Sequence, residues 1–294
     1  MKVGLQIPRF TWDEPIAPKL AEIGRTADSS GFASIWVMDH FFQIPPVSED
    51  AGEPMLEGYS TLNYLAAVTE RAKLGTLVTG VIYRHPGILV KTATTLDVLS
   101  GGRAYLGIGA GWFERESKGL GLPFPSTSER FEWLEETLQI ARQMWSDGTE
   151  AKPYEGKNFR LDEPISSPAP LSSPHPKIMV GGGGEKKTLK LVAGYADACN
   201  LFAFPGALDQ LQHKLGVLEG HCDAAGRDYA EVEKTALGTA HLADGEMSAE
   251  EIVDFCGVVA ELGVDHLIFN MPNVQDVEPL QRFGEEVIPK VSAL

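Results

Sequence analysis

The stretch that decides the fold runs from Leu77 to Trp112 and reads LVTGVIYRHPGILVKTATTLDVLSGGRAYLGIGAGW. It passes from an apolar strand through a polar turn into an amphipathic helix. A Gly-Gly turn then leads into a second apolar strand and a further glycine-rich turn. The two polar turns, residues 79–86 and 109–116, both follow the carboxyl ends of predicted strands. Parallel α/β folds bind ligands at that end, so we expect the functional site there.

The same alternation of strand and helix extends along the whole chain. Eight short apolar runs are each followed by a helical stretch, which is the count of a (β/α)8 barrel, or TIM barrel. Barrels of about 250 residues are single domains, so we predict one α/β barrel domain over residues 1–294. The predicted strands are residues 3–7, 33–38, 73–78, 104–109, 177–181, 197–202, 234–239 and 265–270.

One long segment, residues 147–176, interrupts this alternation. It is rich in proline and too long for an ordinary connection, so we predict an insertion at the carboxyl-terminal face of the barrel. Just before it, Ser126 and Glu129 have the spacing of a capping box, which predicts that a helix begins at residue 127.

Composition excludes several classes of protein. The 294 residues carry 25 Lys and Arg against 41 Asp and Glu, a net charge of −16, which disfavours binding to nucleic acids or anionic membranes. Cys199, Cys222 and Cys256 are scattered, which is typical of a reducing cytosol and argues against a disulfide framework or a zinc site. No run approaches about 20 apolar residues, so we expect a soluble, cytoplasmic protein with a small-molecule substrate.

Polar residues follow the second and third predicted strands. Asp39 and His40 come directly after ASIWVM, where a carboxylate and an imidazole can serve in proton transfer or simply cap a turn. Thr79-Gly80-Val81 ends the next strand, and a glycine there lets the backbone approach a flat ring closely. Arg84, on the same rim, is a candidate for an anion contact, with a surface ion pair as the alternative.

A second turn follows the fourth predicted strand. Gly109-Ala110-Gly111-Trp112 is a candidate ligand-binding turn, in which Trp112 stacks on a ligand or packs under the barrel rim. We expect Glu114 and Glu116, next along the chain, to be solvated helix caps.

Four consecutive glycines, Gly181-Gly182-Gly183-Gly184, precede a helix predicted to begin at Glu185. Successive backbone N–H groups of such a loop can converge on an anion at a helix start. The lysines at 186 and 187 oppose the helix dipole, and a bound anion would remove that penalty. Two solvated lysines are the alternative.

The motifs ASIWVMDHFF, LEGYSTL, MVGGGGEKKTLKLVAGYADACN and the 77–112 window resemble the luciferase-like oxidoreductase superfamily, within it the branch that uses the deazaflavin coenzyme F420. The resemblance implies a barrel with the coenzyme across the strand ends, and a homodimer. It places the ring against Gly80-Val81, with a non-prolyl cis peptide bond between these two residues, and the phosphate near residues 182–185. Asp39 would hydrogen-bond the coenzyme, and His40 would exchange a proton with the substrate.

The chain departs from the pattern of the F420-dependent sugar-phosphate dehydrogenases at one position. Trp112 stands where those enzymes carry a catalytic Glu, and an indole cannot transfer a proton. We therefore interpret Trp112 as a residue beside the coenzyme or in an apolar substrate pocket. The substrate class stays as broad as an alcohol, an imine or an activated double bond.

Three functions fit the sequence. The first is F420-dependent hydride transfer, and the second is an FMN-dependent monooxygenase that needs a separate reductase. The third is a flavin-binding protein without turnover. The residues Asp39, His40 and Gly80 favour the first function. The third is disfavoured, because a protein that only binds flavin does not need a titratable His beside the ring.

Overall fold

The computed structural model describes residues 1–45 and 47–294, and a closed barrel of parallel strands forms its centre. The strands are β1 (Lys2–Ile7), β2 (Ser34–Val37), β3 (Lys73–Thr76), β4 (Thr79–Gly80), β5 (Ala104–Gly109), β6 (Tyr154–Glu155), β7 (Arg160–Leu161), β8 (Lys177–Gly181), β9 (Ala198–Phe202), β10 (Glu233–Thr239) and β11 (His266–Asn270). In the sheet the order is β3-β2-β1-β11-β10-β9-β8-β5-β4, and pairing between β3 and β5 closes it. The predicted (β/α)8 barrel is confirmed.

Helices alternate with the strands and surround the barrel. They are α1 (Ile16–Ser29), α2 (Gly58–Val68), α3 (Pro86–Ser100), α4 (Glu114–Gly119), α5 (Thr127–Asp147), α6 (Thr188–Tyr195), α7 (Leu208–Ala225), α8 (Ala249–Glu261), α9 (Val277–Arg282) and α10 (Ile288–Val291). The predicted capping box of Ser126 and Glu129 is present at the start of α5. Within the described ranges, no helix combines the length and the apolar character needed to cross a membrane.

Side chains fill the middle of the barrel. Trp36, Tyr105, Met179 and Ile268 are buried together there, with the rings of Trp36 and Tyr105 edge to face at 5.3 Å. Gly75 makes this packing possible, since a Cβ at that position would lie 2.5 Å from the Trp36 ring. The barrel is therefore a packed core, and a ligand can reach only its ends.

The third barrel strand contains a bulge. Gly75 pairs with Tyr105 but Thr79 pairs with Ile108, so four steps along β3–β4 match three steps along β5. The non-prolyl cis peptide bond lies in this bulge, between Leu77 and Val78. The prediction that it joins Gly80 and Val81 was therefore wrong. The pairing has resumed by Gly80, and the Val81 N–H donates to the Gly109 carbonyl at 2.9 Å.

The insertion runs along the outside of the barrel. Its hairpin, β6–β7, reaches toward the carboxyl-terminal rim, where Phe159 contacts His85 edge to face at 5.5 Å. Farther along, Asp97 of α3 accepts hydrogen bonds from the backbone N–H groups of Leu171 and Ser172, at 2.7 and 2.8 Å. The hairpin is thus the part of the insertion that reaches the functional end.

A charged cluster closes the opposite, amino-terminal end of the barrel. The Glu233 carboxylate accepts from the ammonium groups of Lys2 and Lys177 at 2.9 Å each and from the Tyr105 hydroxyl at 2.8 Å. Burial alone would raise the pKa of Glu233, but the nearby His266 imidazole and the hydrogen bonds from Lys177 and Lys2 outweigh it and hold that pKa well below its usual range. The ionised carboxylate therefore joins β10 to β1, β5 and β8.

This cluster predicts an acid-sensitive contribution to stability. Because the folded pKa is lowered, the contribution is complete above the ordinary Glu pKa of about 4.3 and is lost as the pH falls below it. At pH 7 we expect Glu233→Gln to lower the free energy of unfolding by about 1–3 kcal/mol. Urea titrations should show that the difference in unfolding free energy between wild type and Glu233→Gln becomes smaller between about pH 5 and pH 3. The exposed Glu231→Gln is the control. A difference in unfolding free energy between wild type and Glu233→Gln that does not change with pH would contradict the ionised state of Glu233.

Candidate active site

The carboxyl-terminal rim brings together residues that lie far apart in the sequence. Asp39 and His40 follow β2, Tyr83 and Arg84 follow β4, and Glu116 lies in the first turn of α4, after β5. All five are packed at the barrel mouth, where the alternation of strand and helix predicted the site.

Glu116 is the centre of this cluster, although the sequence indicated a solvated cap. Its side chain is 0% exposed. Oε1 accepts from the Tyr83 hydroxyl and lies 2.6 Å from His40 Nδ1, while Oε2 accepts from the backbone N–H groups of Phe41 and Phe42 at 2.7 and 3.3 Å. The expectation was wrong for Glu116 because the chain folds this turn against the segment after β2, whose residues 40–42 bond the carboxylate. Glu114 is largely exposed and pairs with Lys118.

The surroundings of Glu116 set the charges in the cluster. Burial works to raise the pKa of Glu116, but the hydrogen bonds from His40, Tyr83 and the Phe41 N–H outweigh it, so the pKa is lowered and the carboxylate is ionised. Burial and the neighbouring Glu116 raise the pKa of Tyr83 above its ordinary value, so the phenol keeps its proton.

His40 has one engaged and one open nitrogen. Nδ1 contacts Glu116, whereas Nε2 contacts no protein acceptor or donor in the described ranges and is not sealed from solvent. The ring is flanked edge to face by Trp112 and Phe113, at 5.6 and 5.8 Å between centroids. Trp112 is 55% exposed at the rim. The site therefore combines one open imidazole nitrogen with aromatic walls.

Asp39 and Arg84 form a buried ion pair beside this cluster. Arg84 Nη1 and Nη2 donate to the two oxygens of Asp39, at 2.5 and 2.9 Å, and Nη2 also contacts Glu57. The Arg84 guanidinium lies over the Tyr59 ring, 4.8 Å from its centroid. These contacts neutralise the guanidinium. That Arg84 or Asp39 contacts a ligand stays a prediction.

Glycines clear the space around the mouth. A Cβ at Gly80 would lie 2.7 Å from the Tyr83 ring, so this glycine makes room for the side chain that bonds Glu116. Gly109 and Gly181 both lie against Val78, where a Cβ would approach within 3.0 and 2.8 Å. Gly111, at φ +77°, turns the backbone between Ala110 and Trp112.

The tetraglycine loop after β8 has free donors. Gly182 adopts φ +118°, which favours glycine. The backbone N–H groups of Gly183, Gly184 and Glu185 donate to no acceptor in the described part of the chain. They lie on the same rim as His40, where they are available to an anion.

The helix after this loop begins later than predicted, at Thr188 rather than Glu185. The Glu185 carbonyl accepts from His221 Nε2 at 2.7 Å and its carboxylate pairs with Lys214, while the Leu189 N–H donates to Gly184. These tertiary contacts hold residue 185 outside the helix.

Gln6 is a rim residue that sequence reasoning missed. Its side chain is on the same face of β1 as Gly4, where a Cβ would meet Ser34 and His266 inside the barrel. Gln6 is 3% exposed, and its Oε1 has no hydrogen-bond partner in the described ranges. A polar ligand group at the mouth would satisfy this atom. In the sequence, only the presence of a single Gln within an otherwise apolar strand could have indicated this residue.

Comparison with known proteins identifies the family of this chain. A family model described as luciferase-like monooxygenase matches residues 1–289. An uncharacterised protein of Mycobacterium tuberculosis is 30% identical over 277 residues, 90% of each chain. The F420-dependent glucose-6-phosphate dehydrogenase of Kineococcus radiotolerans is 31% identical over 225 residues, which cover 76% of this chain and 64% of that relative. The resemblance noted in the sequence is confirmed.

Solved structures show the same fold in enzymes with two different coenzymes. An F420-dependent secondary alcohol dehydrogenase, in complex with an F420–acetone adduct, superposes with a TM-score of 0.81 at 20% identity, over 99% of this chain and 98% of that one. The oxygenating constituent of 3,6-diketocamphane monooxygenase from Pseudomonas putida, in complex with FMN, gives 0.78 at 18% identity over 99% and 98%. At these identities the fold alone is shared.

The buried ion pair predicts a strong effect on stability. Asp39→Ala would leave Arg84, whose side chain is 14% exposed, with Glu57 as its remaining carboxylate. We expect the free energy of unfolding to fall on the order of 3 kcal/mol, measured by chemical denaturation. Glu57→Gln is the matched control and should cost about 1 kcal/mol or less, because Glu57 is partly exposed. Equal losses would show that Asp39 is not the dominant partner.

Proposed function

Because this chain belongs to the luciferase-like monooxygenase family, we propose that it is an F420-dependent oxidoreductase acting on a small organic substrate. The observation that carries the proposal is the open Nε2 of His40, backed by the ionised Glu116 at the barrel mouth. This arrangement can exchange a proton with a substrate oxygen or nitrogen while a hydride moves at the neighbouring carbon.

The residues at the mouth fit the coenzyme. Free N–H groups at Gly183–Glu185 would hold its phosphate, and the orphaned Gln6 Oε1 would accept a hydrogen bond from its polar edge. The turns at 79–81 and 109–112, with their glycines, would flank the ring. When bound, the deazaflavin supplies the acceptor or donor of a hydride.

The walls favour an apolar substrate over a sugar phosphate. Trp112 and Phe113 flank His40, and Trp112 contributes no titratable proton. Arg84, the cation of this cluster, is already paired with Asp39 and Glu57, so it offers little to a substrate phosphate. We therefore propose an alcohol, an imine or an activated double bond in an apolar setting as the substrate.

An FMN-dependent monooxygenase is the second candidate, since the FMN-bound diketocamphane enzyme has the same fold. It would need a separate reductase. A binding protein without turnover is disfavoured, because buried charge behind an open imidazole costs desolvation that binding alone does not require. That the chain forms a homodimer and acts in the cytoplasm stays a prediction.

Coenzyme choice tests the proposal directly. We expect oxidised F420 to bind at least tenfold more tightly than FMN, because the residues of the rim resemble those of the F420-using branch. Fluorescence titration of the purified protein with each coenzyme measures both affinities. Tight FMN binding without F420 binding would move the protein to the monooxygenase class.

The glycine loop predicts where the coenzyme phosphate is held. A Cβ at Gly183 would meet only ordinary contacts with Leu201 and Lys214, at 3.8 Å, so Gly183→Val should fold. Its side chain would crowd an anion at the free N–H groups, and F420 affinity should fall more than tenfold. Lys186→Ala should weaken binding less and in a salt-dependent way.

The control is Gly216→Val on α7, where a Cβ meets no atom within 4 Å. If the Gly183 variant binds F420 as tightly as the control does, the phosphate lies elsewhere on the rim.

A further inference from the structure

We propose that Glu116 is a positioning residue that holds His40 in the tautomer with its proton on Nδ1. Nε2 is then a bare proton acceptor facing the substrate. The role of this acceptor in turnover rests on the proposed function, whereas the tautomer is a property of the protein alone.

The hydrogen bonds around Glu116 dictate the tautomer. Oε2 accepts from the N–H groups of Phe41 and Phe42, which can only donate. Oε1 accepts from the Tyr83 hydroxyl and lies 2.6 Å from His40 Nδ1. A carboxylate has no proton to give, so a bare Nδ1 would place two lone pairs against each other at this distance. Nδ1 must therefore carry the proton.

Other members of the cluster cannot take over proton transfer. The Tyr83 proton is committed to Glu116, and burial makes the phenol hard to ionise. Both oxygens of Asp39 accept from Arg84. Among these groups, His40 Nε2 alone is both titratable and open toward the mouth.

The proton balance of the reaction gives Nε2 its role. Oxidation of an alcohol to a carbonyl requires the carbon to give up a hydride, which the bound coenzyme would accept, and the oxygen to give up a proton. Nε2 takes that proton, the ring becomes an imidazolium, and the anionic Glu116 stabilises the new charge at 2.6 Å. In the reductive direction the same imidazolium returns the proton to the substrate oxygen.

Replacing Glu116 by Gln makes the proposal testable, since it should reverse the tautomer. The Gln oxygen has to face the two backbone donors of residues 41 and 42, because an NH₂ group there would oppose two N–H groups. The NH₂ group is then turned toward His40 and donates to Nδ1, so the ring proton moves to Nε2.

Nitrogen NMR on protein labelled with ¹⁵N-histidine reads the tautomer without coenzyme or substrate. Long-range ¹H–¹⁵N spectra, recorded where the ring is neutral, distinguish protonated from bare ring nitrogens. The His40 signals are identified by their loss in His40→Gln. We expect Nδ1–H in wild type and Nε2–H in Glu116→Gln. The exposed Glu114→Gln, on the same turn, is the matched control and should resemble wild type.

A wild-type His40 with its proton on Nε2 would overturn the proposal even if the Gln variant failed to fold. An unchanged tautomer in a folded Glu116→Gln variant would overturn it as well. In turnover, the same variant should lower kcat by about 10²–10⁴-fold, with coenzyme affinity within a few-fold of wild type. If the spectra show the proton on Nδ1 but the protein has no F420-linked turnover, the tautomer is established. Only the proposed function is then refuted.

Discussion

The packed interior of the barrel is the constraint on which the rest of the structure depends. Trp36, set against Gly75 and Tyr105, fills the centre, and the Glu233 cluster closes the amino-terminal end. Parallel strands direct all their carboxyl ends to the other face. Chemistry is therefore confined to the turns at that mouth, and the polar residues of three such turns come within hydrogen-bond distance of one another.

Buried carboxylates organise the irregular segments of this acidic chain. Asp28 accepts from the backbone N–H groups of residues 70–72, and Asp97 accepts from those of Leu171 and Ser172 in the insertion. Glu136 does the same for Asn158 and Phe159. Glu116 follows this pattern, but it adds an imidazole to its backbone donors. A structural device of the fold thereby also orients the His40 ring.

The site also separates two kinds of charge. The Asp39–Arg84 pair is internally neutralised and fixes the turns after β2 and β4. The Glu116–His40 pair keeps one nitrogen open toward the mouth. Because the first pair is satisfied within the protein, the second is the part of the cluster with capacity left for a substrate.

The sequence by itself determined the barrel, its strands to within about a residue or two, and the rim as the place where polar side chains gather, because alternating burial and helical periodicity are local signals. Position along the chain also marked His40 and the tetraglycine loop. Tertiary structure alone decided that Glu116 is buried and Glu114 is not, since both fit the same cap pattern. It also decided that the cis peptide bond lies between Leu77 and Val78, in the bulge that has one residue more than the paired segment of β5. The helix α6 begins only at Thr188, because His221 binds the Glu185 carbonyl. Each depends on a partner distant in sequence, and no local pattern records such a partner.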